Sequence, residues 1–480
     1  MYSIADATKF EIDEIWELYR KHVNPSQVEL IGTFPFGRET VESAEGCWIK
    51  LKSGRRILDL TGGIGVLNHG HNHPRILKAR KDFSEKKTME IYKSYFSPYV
   101  AALGANIAEM LPKGLDYSYF PNSGAEAVEG ALKLAYKYHE GNRKIVLHAD
   151  ISFHGKLLGA AGITGSPEIH FKFPTIPNSF SFKYNDFSSI EALVSEHRVK
   201  NVCDVYAIIV EPLNASTMQS CSEDFLRRLR ALCSKEDIVL IFDEVYSGWG
   251  KTGTLFNFQR IDGVLPDILT YAKSFGGGKA SISGYSYTSK VAKAYDSIRD
   301  ATLHSTTYYG FGEEVITAIE ALNIINEEGL VQRSAEIGNE FKQLLEEKTK
   351  SRKNFDEIRG SGALWGIMLK ADVIETCIKL LAKMASGKLE ILADPRIAKK
   401  VINSAVVAHL YEEHGVLTYF GVNVENPLII SFPLVATHNE VSLAANAIGE
   451  TLEQDLTKLV LRFVHLKLTG PKANLSMERK

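Results

Sequence analysis

Three apolar runs in this 480-residue chain each deliver an ionisable side chain: VYAIIV ends at Glu211, IVLIF at Asp243 and DILTYA at Lys273. Burial at such a position disfavours an ammonium group and favours the neutral amine, a nucleophile whose natural partner is a carbonyl and whose product is an imine. Three glycines, Gly276 to Gly278, follow Lys273 and let backbone approach closely without a Cβ clash. The plainer alternative is a strand-end salt bridge between Lys273 and one of the carboxylates.

A second stretch, PNSGAEAVEGALKLAYKY, sets Ser123, Gly124 and Ala125 at the start of a helix. Free N–H groups there, with the helix dipole, suit a phosphate. Simple capping by Asn122 or Ser123 is the alternative. Other motifs point elsewhere. HGHNHP spaces His69, His71 and His73 like metal ligands, but Gly70 and Pro74 read as a turn, and no metal is expected. GWGKTG fails as a nucleotide phosphate loop because Val245 stands where that motif needs glycine. GGIG, Gly62 to Gly65, is a glycine cluster without the full dinucleotide fingerprint.

Elements must hold these groups together. From about Leu58 to Tyr285, short continuous apolar runs alternate with helical patterns, which predicts an α/β domain with parallel crossovers and a sheet covered on both faces. Ligands of open α/β sheets bind beyond the carboxyl ends of the strands, so Glu211, Asp243 and Lys273 are expected in one cleft. After about Gly312 two long helices, short strands in FDEIRGSGALWGIMLK and a further helix predict a smaller α+β domain. The expected division is 1–57, an N-terminal segment joining the small domain; 58–318, the large domain; 319–456, the small domain; and 457–480, a tail. Ile12, Ile15, Trp16 and Tyr19 recur at helical spacing and predict an amphipathic docking helix. The tail mixes apolar and basic residues and reads as a packed strand with a frayed end, with a membrane-surface role as the alternative.

The formal net charge of −2 favours neither nucleic acid nor an anionic membrane as partner. Five scattered cysteines form no CxxC pair, and no signal peptide or membrane span is read, so a reduced, cytoplasmic protein is expected.

In order, LDLTGGIGVLNHGHNHPRI, FPNSGAEAVEGALKLA, ISFHG, IIVEP, LIFDEVYSGWGKTG, TYAKSFGGG, HSTTYYGFG and IRGSGALWGIML resemble the class III, fold type I aminotransferases, from about Gly46 to Ile448. The separation of Asp243 and Lys273, 273 − 243 = 30 positions, is similar to that family's. The resemblance implies a fold type I architecture and pyridoxal 5'-phosphate as cofactor. It implies that Lys273 holds the cofactor aldehyde as an imine and later moves a proton, and that Asp243 pairs with the ring nitrogen. It further implies Phe153, beside His154, against the ring, Ser123, Gly124 and Ala125 on the phosphate, and Glu211 near substrate and cofactor. Thr307 resembles a residue that reaches the phosphate from the neighbouring subunit, which implies a homodimer with shared active sites.

The chain also departs from that family. Tyr246 replaces a glutamine near the cofactor's ring hydroxyl, and its phenol either donates a similar hydrogen bond or fills the space and points away. The segment after Glu211, PLNASTMQS, lacks the usual glycines. Ile429, in NPLIISFPLVAT, stands where an arginine often binds an α-carboxylate, and an apolar side chain cannot make those paired bonds. Either another basic residue takes that role, or a substrate lacks the α-carboxylate. The expected acceptor is an aldehyde or ketone remote from any carboxylate. Arg359 is read as ordering the small domain. The stretch 371–409 reads as a surface helix or a substrate-binding insert. The expected activity is therefore transamination between a small amine or amino-acid donor and a carbonyl acceptor. The rivals are an aminomutase, racemase or decarboxylase on the same scaffold, and a non-enzymatic binding subunit.

Overall fold

The computed structural model describes residues 1–165, 176–351, 353–370, 395–421 and 425–469, with a few positions between 372 and 379. The stretch 371–409 lies largely outside the described residues until Pro395. The amphipathic segment is a helix, α1 (Ile12–His22), with Trp16 Nε1 donating to the Gly37 carbonyl at 3.2 Å. Strands β1 (Val41–Glu45), β2 (Trp48–Leu51) and β3 (Arg56–Asp59) then form an antiparallel meander.

The large sheet comprises β4 (Tyr117–Tyr119), β5 (Ile145–Ala149), β6 (Ser179–Phe182), β7 (Val205–Val210), β8 (Val239–Asp243), β9 (Ile268–Tyr271) and β10 (Gly284–Tyr287). Its order is β4-β10-β9-β8-β7-β5-β6, parallel except at β10, which runs antiparallel to both neighbours. Every residue of β7, β8 and β9 is buried, as a sheet with two covered faces requires. Two apolar clusters do the covering. One lies against Ala127, Val128 and Leu134 of α2 (Gly124–Tyr138), and the other against Phe225, Leu226 and Leu229 of α3 (Glu223–Glu236).

Helices α4 (Gly312–Glu327) and α5 (Leu330–Lys348) lead to a second sheet. It contains β11 (Phe355–Ser361) and β12 (Leu364–Leu369); beyond α6 (Pro395–His414) and β13 (Val416–Leu417) it is completed by β14 (Tyr419–Phe420) and β15 (Leu428–Ser431). Its order is β11-β12-β15-β14, while β13 pairs in parallel with β3. The N-terminal meander is thereby tied to the C-terminal part of the chain. Helix α7 (His438–Leu452) packs against α5.

The expected C-terminal strand is a helix, α8 (Leu456–Thr469), lying on α6. Leu456, Leu459, Val460 and Phe463 are buried and recur at offsets of three and four, while Lys458 and Arg462 face outward. That period suits a helix and cannot put one face of a strand inward. Among the described residues no helix is long and apolar enough to cross a membrane.

Candidate active site

Adjacent parallel strands bring three separate sequence positions to one edge. Phe242 pairs with Val210 and Asp243 with Thr270, so Glu211, Asp243 and Lys273 emerge together at the carboxyl ends of β7, β8 and β9. They open onto a cavity of about 550 Å³. Ser123, Gly124, Ala125, Phe153, His154 and Tyr246 line the same cavity.

Asp243 is buried, and its Oδ2 accepts a hydrogen bond from His154 Nδ1 at 2.7 Å while Oδ1 accepts from the Val245 N–H at 3.0 Å. Glu211 is equally buried; its two oxygens accept from the Phe153 and Ala215 N–H groups, each at 3.0 Å. It thus pins the loops on both sides of the cavity. Burial pushes its carboxyl up to about 7, opposed by His154 and reinforced by Asp243.

Lys273 begins a short 3₁₀ turn one residue after β9 and adopts φ +52°, an unusual conformation for a residue with a Cβ. Packing holds it there. Phe275 stacks on the buried Trp249 at 5.0 Å, and Tyr271 meets both rings edge-on. Gly277, at φ +58°, ends the turn where a Cβ would lie 2.5 Å from Ile76 Cδ1. Desolvation lowers the pKa of the Lys273 ammonium, against the pull of Asp243 and Glu211. The carboxylates make no direct salt bridge to Lys273 among the described ion pairs, so the strand-end salt-bridge alternative does not hold.

At the start of α2 both sequence readings coexist. Glu126 Oε2 accepts from the Asn122 and Ser123 N–H groups at 2.8 and 2.9 Å, and Ser123 Oγ accepts from the Glu126 N–H at 3.3 Å. The Gly124 and Ala125 N–H groups find no acceptor among the described residues and border the cavity. Gly155, at φ +123°, presses the Phe153–Gly155 turn onto this helix start, where a Cβ would lie 2.6 Å from Ala125 Cβ.

These parts fit pyridoxal phosphate. Two acceptor-free N–H groups at a helix start suit its phosphate, a buried carboxylate suits its ring nitrogen, and a desolvated amine suits its aldehyde.

Part of the cavity wall is apolar and aromatic. Ile429 is buried with Leu213, Met218, Tyr246 and Leu364. Tyr419 stands directly across from Ile429 in the β14–β15 pairing, and its hydroxyl is hydrogen-bonded to that of Tyr246. The Tyr246 phenol is thus engaged by Tyr419, while its ring borders the cavity with Lys273 Nζ 5.3 Å from the centroid. Neither Tyr419 nor Phe420 stands out in the sequence. Lys251, whose GWGKTG motif fails as a phosphate loop, is fully buried, with its Nζ donating to the Gly65 carbonyl at 2.9 Å and to Asn68 Oδ1.

Thr307 is exposed and outside this chain's cavity, although its neighbours touch the mouth: Asn122 Nδ2 donates to the Tyr308 carbonyl at 3.1 Å. Arg359 is held by Glu357 and Glu425 and borders a different cleft. The three motif histidines diverge, His69 to the Ala321 carbonyl, His71 to Asp59 and His73 to Glu328.

Comparison with known proteins follows the same line. Residues 37–452 match the family described as Aminotransferase class-III. The chain is 35% identical over 359 residues to the acetylornithine aminotransferase of Methanocaldococcus jannaschii, spanning 72% of this chain and 85% of that protein. It is 31% identical over 386 residues to the succinylornithine transaminase of Yersinia enterocolitica, spanning 78% of this chain and 89% of that protein. In fold it resembles the ornithine aminotransferase of Toxoplasma gondii, with a TM-score of 0.78 and 22% identity over 94% of this chain and 98% of that one. An (S)-enantioselective omega-transaminase from Thermomicrobium roseum matches with a TM-score of 0.78 and 23% identity, over 92% of this chain and 99% of that one.

Proposed function

The chain belongs to the class III aminotransferases, enzymes that move amino groups with pyridoxal phosphate, and from that premise we propose that it acts on a carbon bearing no carboxylate. One observation carries this reading. Ile429 sits in an apolar cluster at the wall, and Lys273 is the only lysine or arginine among the described residues lining the cavity. A carboxylate beside the reacting carbon would find no arginine fork among the described residues lining the cavity.

Pyridoxal phosphate, when bound, supplies the carbonyl and the electron sink. This chain's residues do the rest. Lys273 Nζ, desolvated, would hold the cofactor through its aldehyde and, when free, would move a proton at the reacting carbon. Asp243, oriented by His154, would be the counter-charge for a protonated ring nitrogen. The Gly124 and Ala125 N–H groups hold a phosphate, with Ser123 capping the helix beneath. Phe153 and the Tyr246 ring flank the space, and Glu211 holds or releases a proton near neutral pH.

The active unit in this reading is a homodimer, with Thr307 of each chain serving the other's phosphate site. Exposed apolar side chains in segments joined to the cavity lining support it. Ile64 lines the mouth; Lys93 bonds the Thr306 carbonyl beside Asn122; and Tyr95 and Phe96, two and three residues on, are solvent-exposed, as is Tyr308. Several large exposed apolar side chains in these segments suit an interface. The division at 57, 318 and 456 and a cytoplasmic location belong to the same reading.

A spectrophotometric screen tests it. Amines without a carboxylate at the reacting carbon should convert the bound cofactor to its amine form with release of a carbonyl product. Acylated ornithines, after which relatives are named, are natural probes beside simple amines. Conversion by α-amino acids alone overturns the reading.

A further inference from the structure

The family's usual glutamine is absent at position 246, and what replaces it is a constrained aromatic unit. Tyr246 follows Asp243 on the large-sheet side of the cavity, whereas Tyr419 belongs to the small sheet. Their hydroxyls are hydrogen-bonded to one another across that boundary. Burial raises the pKa of both phenols above the ordinary range, so both stay neutral and the bond persists through the working pH range.

The Tyr246 ring is held at its edge as well. Gly65, at φ +79°, approaches so closely that a Cβ would lie 2.8 Å from Tyr246 Cε2, and the Gly65 carbonyl accepts from the buried Lys251. Ile429, Leu213, Met218 and Leu364 pack around the same ring. The ring therefore has little freedom to turn, and its face lies 5.3 Å from Lys273 Nζ.

We propose that Tyr246 and Tyr419 form a positioning pair: the small sheet, through the phenol–phenol bond, fixes the Tyr246 ring as the surface against which the Lys273 amine is set. The π face favours the ammonium form of Lys273. Asp243 and Glu211 favour it too, while burial opposes it; the charge of Lys273 in turn disfavours the ammonium form of the buried Lys251, and His154 faces the two carboxylates. The ring thus belongs to a balance of charges that decides how much amine is free to meet a carbonyl, and the Tyr419 hydroxyl acts on Lys273 only through Tyr246.

The test uses full-length protein stripped of cofactor and needs no substrate, so its outcome is independent of the donor and acceptor reading. Pyridoxal phosphate is added across a pH series, and the rate of imine formation is followed by absorbance. Tyr246→Leu removes the ring and should lower the midpoint of the rate–pH profile by about half a pH unit, because the ammonium loses its π partner. Tyr246→Phe and Tyr419→Phe keep the rings, should leave the midpoint in place, and should each slow uptake by about 3- to 10-fold. The double phenylalanine variant should be no slower than Tyr246→Phe alone, since the bond between the two hydroxyls is already lost there, together with the Tyr246 contact to Ser431. An unmoved midpoint in Tyr246→Leu, or phenylalanine effects that multiply, overturns the proposal. Lowered melting temperatures with unchanged uptake would make the pair purely structural and overturn it equally.

Discussion

Nδ1 of His154 lies 2.7 Å from Oδ2 of Asp243, with both side chains shut off from solvent. A buried carboxylate so held points one way and carries its charge into a region of low dielectric, where it acts strongly. Asp243→Asn keeps the shape and removes the charge. It should slow the half-reaction with an amine donor on the order of 10²- to 10³-fold, the range for losing one preorganised electrostatic group. Single-turnover absorbance checks this. His154→Leu instead leaves Asp243 without its partner and should destabilise the fold by about 3 kcal/mol in denaturant titrations.

Glu211 sets the sign of a pH effect. Its carboxyl is pushed from 4.5 up to about 7 in the fold, so between those values the folded state holds a proton that the unfolded chain has released. Stability then falls as pH rises through that window. Glu244, buried and also pushed up to about 7, acts in the same direction. Cofactor-free protein should therefore resist urea better near the lower end of the window than above it. Glu211→Gln should reduce that loss by about 2–3 kcal/mol. A decline of the same size in the variant would mean that Glu211 is not the source.

Gly155 tests the phosphate cradle. A methyl group there meets Ala125 at 2.6 Å and sits on a backbone with φ +123°. Gly155→Ala should cost about 1–3 kcal/mol of stability. It should also weaken cofactor retention on dialysis, because the strain falls at the start of α2. Normal retention with lowered stability would separate the turn from phosphate binding.

Ile429→Arg tests the substrate wall. A buried arginine among Leu213, Met218 and Leu364 costs stability unless an anion pairs with it. Turnover of simple amines should fall by about tenfold or more, while carboxylate-bearing donors should gain relative to them. Ratios of kcat/KM for paired substrates with and without the carboxylate measure this. An unchanged ratio would detach Ile429 from specificity.

Much of the site is visible in the sequence because β7, β8 and β9 are unbroken apolar runs, and each run gives way to an ionisable residue that a buried sheet tolerates only at its edge. The large sheet and the gathering of Glu211, Asp243 and Lys273 follow from that pattern. Tyr419 is invisible for a physical reason. Its strand is two residues long, and its partner Tyr246 is 173 positions away, so only tertiary packing joins them. Lys251 is hidden differently: its glycine-rich stretch carries no apolar run to mark it as buried, and only the fold brings Gly65 and Asn68 to satisfy it. The C-terminal tail is misread because its basic residues obscure the helical spacing of Leu456, Leu459, Val460 and Phe463.

The most direct measurement is hydride trapping of the cofactor-loaded enzyme followed by peptide mass spectrometry. Borohydride should fix one pyridoxyl phosphate group on Lys273, and Lys273→Ala should show none. An adduct on any other lysine, the buried Lys251 included, or no adduct in a fully loaded sample, would contradict the account.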